Sequence, residues 1–375
     1  MTTLDGLLPG IVDAHVHYFH PTRSAWTLAR FARLAAFPAR RLMPPPVVRM
    51  VTSFGRREDM MNGLDPSIVG APYEPAQYAV DAASVVSVAG VPITSVVQVE
   101  SHWTPTNGPE SLMASSFEEL QYLCGLPHRR NTPSLGATVI AADPRYPEFA
   151  GELDRHLAYS ESVRGVRFKW ARHPDPAISD WCDEPDVLAS TGFLKGFEAL
   201  AERGLVFVSF AYSHQLGQLD MLARRFPDTT IAIEHLGLPI GVFGPVGTQT
   251  GTTAAVRAEI LGLWRERMAM IAMRPNVVVK VSGLGLGLLG YGRERSGNIG
   301  SRDVLADMMG PLLLHVVDHF GPDRVMFGSD SPVDRPNAPI AMTVGALLDV
   351  LGGRGDHLLQ QLFAKNAQRI YRIEP

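Results

Sequence analysis

The sequence predicts an α/β fold: a (β/α)8 TIM barrel with long loops at its C-terminal face and an extra C-terminal helix. Eight short β-branched runs alternate with longer segments of helical periodicity. Each run is nearly continuous in apolar residues, the pattern of parallel strands covered by helices. Polar residues collect where the runs end, which a doubly wound open sheet would not need at so many strands. The 375 residues, 46% hydrophobic and 19% charged, are read as one barrel domain over 1–375 with a candidate lid insertion at 18–74.

The first run, "GIVDAHVH" (10–17), ends in His15 and His17, whose i, i+2 spacing sets both imidazoles on one face of a strand. A helix is expected at 75–89. The second run, "ITSVVQVES" (93–101), leads into Glu100, His102 and Trp103. A carboxylate buried there without a partner would cost several kcal/mol, so Glu100 demands a cation. A helix at 115–125, the run "SLGATVIAA" (134–142) and a helix at 146–158 follow. "VRGVRFKW" (163–170) ends in Arg167 and Lys169, and a helix is expected at 190–203. "GLVFVSFAY" (204–212) is followed by His214 and a helix at 215–226. "TTIAIEHL" (229–236) closes on Glu234 and His235, before a helix at 253–273. "NVVVKVSG" (276–283) ends near Ser282, and "RVMFGSD" (324–330) ends in Asp330. Helices at 302–320, 338–352 and 357–371 complete the pattern.

Three connections are long, and in a barrel all would lie on the C-terminal face. Residues 18–74 contain Arg23, Arg30, Arg33, Arg40, Arg41, Arg49, Arg56 and Arg57 before the first acid, Glu58. That stretch reads equally as a solvated surface or subunit contact and as a holder of an anionic substrate. Segments 237–252 and 284–300 are rich in glycine. "GLGLLG" (285–290) matches G-x-G-x-x-G, but "YGRERSGNIG" after it does not open a helix, so a dinucleotide site is not expected. Ser209 and Ser213 lie near His214 without a nucleophile elbow. Trp103, Trp170 and Trp181 could wall a pocket or simply pack.

Net charge is −4 and the pI about 6.3, which gives no sign of nucleic-acid binding. Cys124 and Cys182 are far apart and in no metal-like spacing, excluding a disulfide framework and suiting a reducing compartment. No secretory leader and no membrane span are expected from "MTTLDGLLPG" or from the apolar runs. These readings describe a soluble cytoplasmic protein acting on a small molecule.

The chemistry lies in coincidence. A lone strand histidine is usually a satisfied core group, and Asp330 in "GSDSP" could simply cap a turn. Histidines and carboxylates at the same end of several strands would instead be gathered by a barrel into one cup. Such a mixed set binds Zn²⁺, Mn²⁺ or Fe²⁺, as one or two ions.

"VDAHVH", "GVR", "HLG" and "VMFGSDSPVD", with "ARRFPDTTIAIEHLG" and "LFAKNAQRIYRI", resemble the amidohydrolase superfamily. The resemblance covers nearly the whole chain and is to the branch that includes sugar-lactone and pyrone-dicarboxylate lactonases. It implies that His15 and His17 hold one metal with Asp330 as ligand or general base. It also implies that His214 and His235 hold a second metal or contact substrate. Lys169 falls where some members carry a carboxylated lysine, although an ion pair to Glu100 or to a substrate anion serves as well.

The expected function is a metal-dependent hydrolase that opens a lactone or amide with metal-activated water. Asp330, His235 and Lys169 would be catalytic, and Arg167, Trp103 and Ser282 would contact substrate. The runner-up, also implied by the resemblance, is a dinuclear non-haem Fe/Fe or Mn/Fe monooxygenase; a decarboxylase and a non-catalytic barrel paired with a paralogous subunit are further readings. A homo-oligomer is expected. Glu100 discriminates: bound to metal, with His102 as an added ligand, it favours a two-metal centre, whereas paired with Lys169 or Arg167 it leaves a simple hydrolase.

Overall fold

The computed structural model describes residues 2–20, 23–24, 71–103, 112–128, 131–291 and 299–374. Most of the candidate lid at 18–74, including the arginines from Arg30 to Arg57, lies outside the described residues. So does the stretch 292–298 of the second glycine-rich loop.

Eight parallel strands stand in sequence order. They are β1 (Ile11–Val16), β2 (Ile93–Val99), β3 (Ser134–Ala141), β4 (Val163–Lys169), β5 (Val206–Phe210), β6 (Ile231–Ile233), β7 (Val277–Val281) and β8 (Val325–Phe327). The sheet curls until its two edges meet. His17 N–H donates to Ser331 O at 2.8 Å and Asp330 N–H to His15 O at 2.9 Å, joining β1 to the segment after β8. The predicted (β/α)8 barrel is the observed architecture.

Helices cover the outside: α1 (Pro75–Ala82), α2 (Val85–Ala89), α3 (Leu112–Gly125), α4 (Phe149–Tyr159), α5 (Thr191–Glu202), α6 (Leu216–Arg225), α7 (Ala254–Ala272), α8 (Arg302–Phe320) and α9 (Ile340–Leu351). Three of them start where a hydroxyl accepts an orphan N–H of the first turn: Ser190 from Phe193, Thr253 from Val256 and Ser301 from Val304. The last predicted helix is α10 (Asp356–Gln360), a π turn over Gln361–Lys365 and α11 (Asn366–Tyr371). The expected single helix at 75–89 is likewise divided, into α1 and α2. Valine, isoleucine and phenylalanine side chains between strands and helices form one continuous core. No helix among the described residues is long and apolar enough to cross a membrane.

The seam between β1 and β8 positions the site. Asp13 accepts hydrogen bonds from Ser329 N–H (2.8 Å), His15 N–H (3.1 Å) and the Tyr78 hydroxyl (2.7 Å). One carboxyl thus ties β1 to the end of β8 and to α1. Gly328 sits where the backbones are closest, since a Cβ there would fall 2.6 Å from His15 Cβ and 3.1 Å from Ser282 Cβ. Gly328→Ala should destabilise the fold by about 1–3 kcal/mol from overpacking, read as a lower denaturant midpoint at unchanged slope. An unchanged midpoint would mean that the seam has slack.

Candidate metal centre

His15 and His17 meet as their spacing requires, with Nε2 atoms 3.1 Å apart. Asp330 Oδ1 lies 3.4 Å from His15 Nε2 and 3.3 Å from His17 Nε2. All three side chains are buried. The other nitrogen of His17 donates to Val99 O at 3.0 Å, which leaves Nε2 as the lone-pair atom. Three donors on one ion at bond lengths of about 2.1 Å would sit roughly 3.0–3.4 Å from one another. The cluster therefore fits a divalent metal in both donor type and spacing.

Protonation fits as well. Burial pushes the His15 imidazole well below its usual 6.5, and the charge of Lys280 adds to this. Burial opposes ionisation of Asp330, but His235 and His17 outweigh it and hold the carboxyl below 3.8. A neutral imidazole and an ionised carboxylate are the forms that bind metal.

Three of the residues singled out by sequence, His102, His235 and Asp330, have φ of +52. Non-glycine residues rarely occupy that region, and such strain concentrates at sites. The left-handed backbone brings these side chains inward after their strands have ended.

Glu100 does not join the cluster. Its Oε1 accepts from Arg167 Nη1 and Lys169 Nζ, both at 2.8 Å, and its Oε2 accepts from His102 N–H at 3.0 Å. Burial raises its pKa, but Lys169, His102 and Arg167 together bring it well below 4.5. Arg167 reaches on through Nε to Glu234 Oε2 at 2.8 Å. Glu234 Oε1 faces His15 Nδ1 at 3.4 Å and Lys280 Nζ at 3.9 Å. Replacement of a metal by two cations is the physical reason that Glu100 stands apart from the proposed ligands.

His15, Glu234 and His235 form a second possible ligand grouping. It would have to share His15, and Glu234 already faces Arg167 and Lys280. His235 Nδ1 lies 4.0 Å from Asp330 Oδ2 and 3.1 Å from Ser282 Oγ, and Ser282 Oγ also accepts the His235 N–H. Ser282 is buried and holds His235. His214 is not brought to the cup. It lies in the helical turn Ser213–Gln215 and packs edge-on against His173 in a separate cleft.

Lys169 Nζ also lies 3.0–3.2 Å from the ring nitrogens of His102 and 5.6 Å from the Trp181 ring centroid. Trp181 packs at a tilt against His102 and edge-on against Phe210, making an aromatic wall beside the cationic shelf. Trp103 instead packs on Tyr122, and Trp170 donates to Ser209 Oγ. Sequence reasoning missed Asp13, Glu119 and Lys280. Lys280 had left a signal, as a lone charge inside the apolar run "NVVVKVSG".

The amidohydrolase family model matches residues 12–373. The chain belongs to the amidohydrolase family. Among relatives in sequence, an uncharacterized protein y4mH of Sinorhizobium fredii is 30% identical over 255 residues, 68% of this chain and 75% of that protein. An L-fucono-1,5-lactonase of Burkholderia ambifaria is 28% identical over 218 residues, 58% of this chain and 62% of the lactonase. A solved amidohydrolase from Burkholderia multivorans with bound zinc superposes with a TM-score of 0.66 at 19% identity, over 97% of this chain and 100% of that one. A putative 2-pyrone-4,6-dicarboxylic acid hydrolase from Pseudomonas putida does so at 0.56 and 17%, over 98% and 99%. At these identities the solved structures share the fold.

Glu119 supplies a test of the buried electrostatics. Its Oε1 accepts the Ser101 N–H at 2.6 Å, and burial, reinforced by the charge of Glu100, pushes its carboxyl from 4.5 up to about 8. The folded state favours the neutral form, so this stabilisation is complete below about pH 4.5 and is lost as pH rises toward 8. Glu119→Gln should lose less thermal stability than wild type across that window. Parallel melting curves at every pH would contradict the assignment.

Proposed function

We propose that this amidohydrolase is a metal-dependent hydrolase that opens the ring of a small, anionic lactone. The observation that carries the reading is the convergence of His15 Nε2, His17 Nε2 and Asp330 Oδ1 beside the Lys169–His102 shelf. The family match and the lactonase relatives support the hydrolase class. A divalent ion held by His15, His17 and Asp330 would supply a water ionised near neutral pH.

The chain's own groups supply the remaining requirements. Asp330 Oδ2 is directed toward His235, and either group can hold a proton beside the reacting carbonyl. Ser282 fixes the His235 ring, so the proton acceptor is oriented before substrate arrives. Burial keeps the His235 imidazole below 6.5 and therefore able to accept a proton at neutral pH. Lys169, with its side chain 15% exposed, is the cation of the shelf that can reach a substrate anion. Trp181 and Phe210 offer an apolar wall to a ring. No observation favours an oxygenase, because Glu100 is engaged by Arg167 and Lys169.

Turnover of sugar 1,5- and 1,4-lactones and of pyrone dicarboxylates, followed with a pH indicator, tests the reading. At least one lactone should be hydrolysed, and Asp330→Asn should lower kcat by about 10²–10⁴-fold. Absence of lactone turnover by metal-replete protein, or full activity in Asp330→Asn, would overturn it.

A further inference from the structure

A cleft of about 580 Å³ lies between the segment after β4, the first turn of α6 and helix α7. None of His15, His17, Glu234, His235 and Asp330 lines it. Two guanidinium groups do. Arg172 is committed, to Asp180 Oδ2 at 3.0 Å and to the Cys182 carbonyl at 2.7 Å. Arg267 has no carboxylate or hydrogen-bond partner among the described residues, and its Nε is buried with no acceptor. A Cβ at Gly217 would collide with the Arg267 guanidinium, so glycine at that position lets the guanidinium lie against α6.

The next residue, Gln218, presents the complementary deficit. Its Nε2 donates to Asp186 Oδ1 (3.1 Å) and to the Pro185 carbonyl (3.2 Å), while its Oε1 is buried with no donor. The residues that carry this unmet donor and this unmet acceptor thus both line one concave space. A buried polar group left unpaired is destabilising, so a ligand carrying both complements would relieve both deficits. Asp186 in the same lining limits the net positive charge, which suits a monoanion better than a phosphate dianion. An adjoining hollow of about 440 Å³, which shares Asp186, Gln218 and Met221 with the cleft, is lined by Leu188, Leu194 and Leu222. Met221 lines both spaces and is 59% exposed, so its thioether is open to a ligand.

We propose that this cleft binds a small hydroxy-monocarboxylate with an apolar body. Its carboxylate pairs with Arg267, its hydroxyl donates to Gln218 Oε1, and its apolar part lies along Met221, Leu188 and Leu194. Planar two-point pairing of a carboxylate is what a free guanidinium does best. The site is independent of the metal cluster and of the lactonase reading.

Mandelate carries all three features and serves as the probe. The methyl resonance of Met221, assigned by its absence in Met221→Leu, is followed in methyl-labelled full-length protein during titration. Mandelate should shift it saturably, and Arg267→Gln should weaken binding by about tenfold or more. Asp330→Asn should bind as wild type does, because the cluster is not involved. A comparison in wild type alone uses 1-phenylethanol, which keeps the ring and hydroxyl but lacks the carboxylate, and it should bind far more weakly than mandelate. A Met221 signal unmoved by mandelate, equal responses to the two compounds, or unchanged affinity in Arg267→Gln would each overturn the proposal.

Discussion

Arg167 is the interaction on which the cup depends. One guanidinium spans two buried carboxylates, Glu100 and Glu234, at 2.8 Å each. Removing one partner of such a pair costs about 3–5 kcal/mol, since the remaining charge is left uncompensated in the interior. The consequences run outward in both directions. Toward β2, the held Glu100 accepts the His102 N–H and anchors Lys169, which forms the cationic shelf. Toward β6, the held Glu234 turns its other oxygen to His15 Nδ1, beside the fully buried Lys280. On the other edge of the His15 ring, Nε2 faces His17 and Asp330. The charged interior and the metal-compatible cluster form one connected arrangement.

Much of the fold was legible because periodicity reports burial. Continuous apolar runs placed all eight strands, and glycine-rich and arginine-rich breaks marked the long connections. His15 and His17 were legible for the same reason, since strand alternation puts i and i+2 on one face. Arg167 and Lys169 follow the same rule, and both reach Glu100. The pattern failed where the backbone leaves regular geometry. Left-handed φ at His102, His235 and Asp330 arises from tertiary packing, which a spacing rule does not carry. Glu100 needed a cation, but sequence alone could not choose among a metal, Lys169 and Arg167. His214 sits near a strand end in sequence, yet the helical turn at Ser213–Gln215 gives it to a different cleft. Asp13 was invisible as a clamp because its partners, Tyr78 and Ser329, are remote in the chain.

The charge arrangement also supports the proposed hydrolase over the other chemistries considered for this fold. A two-metal centre needs carboxylates free to bridge or cap the second ion. Here Glu100 and Glu234 each accept a hydrogen bond from Arg167, with Lys169 and Lys280 nearby. A cation added to that region would face three positive side chains at close range. The donors that converge on one point are His15, His17 and Asp330, with His235 and its Ser282 support beside them. This set suits one divalent ion and a proton acceptor, the minimum that hydrolysis of an activated ester requires.

The central claim is that His15, His17 and Asp330 hold a single ion while Glu100 belongs to the protein's own ion pairs. Elemental analysis of metal-replete wild type, Glu100→Gln and His17→Ala tests it most directly. The account predicts one ion per chain in wild type and in Glu100→Gln, and loss of that ion in His17→Ala. Two ions per chain in wild type, with one lost in Glu100→Gln, would contradict it.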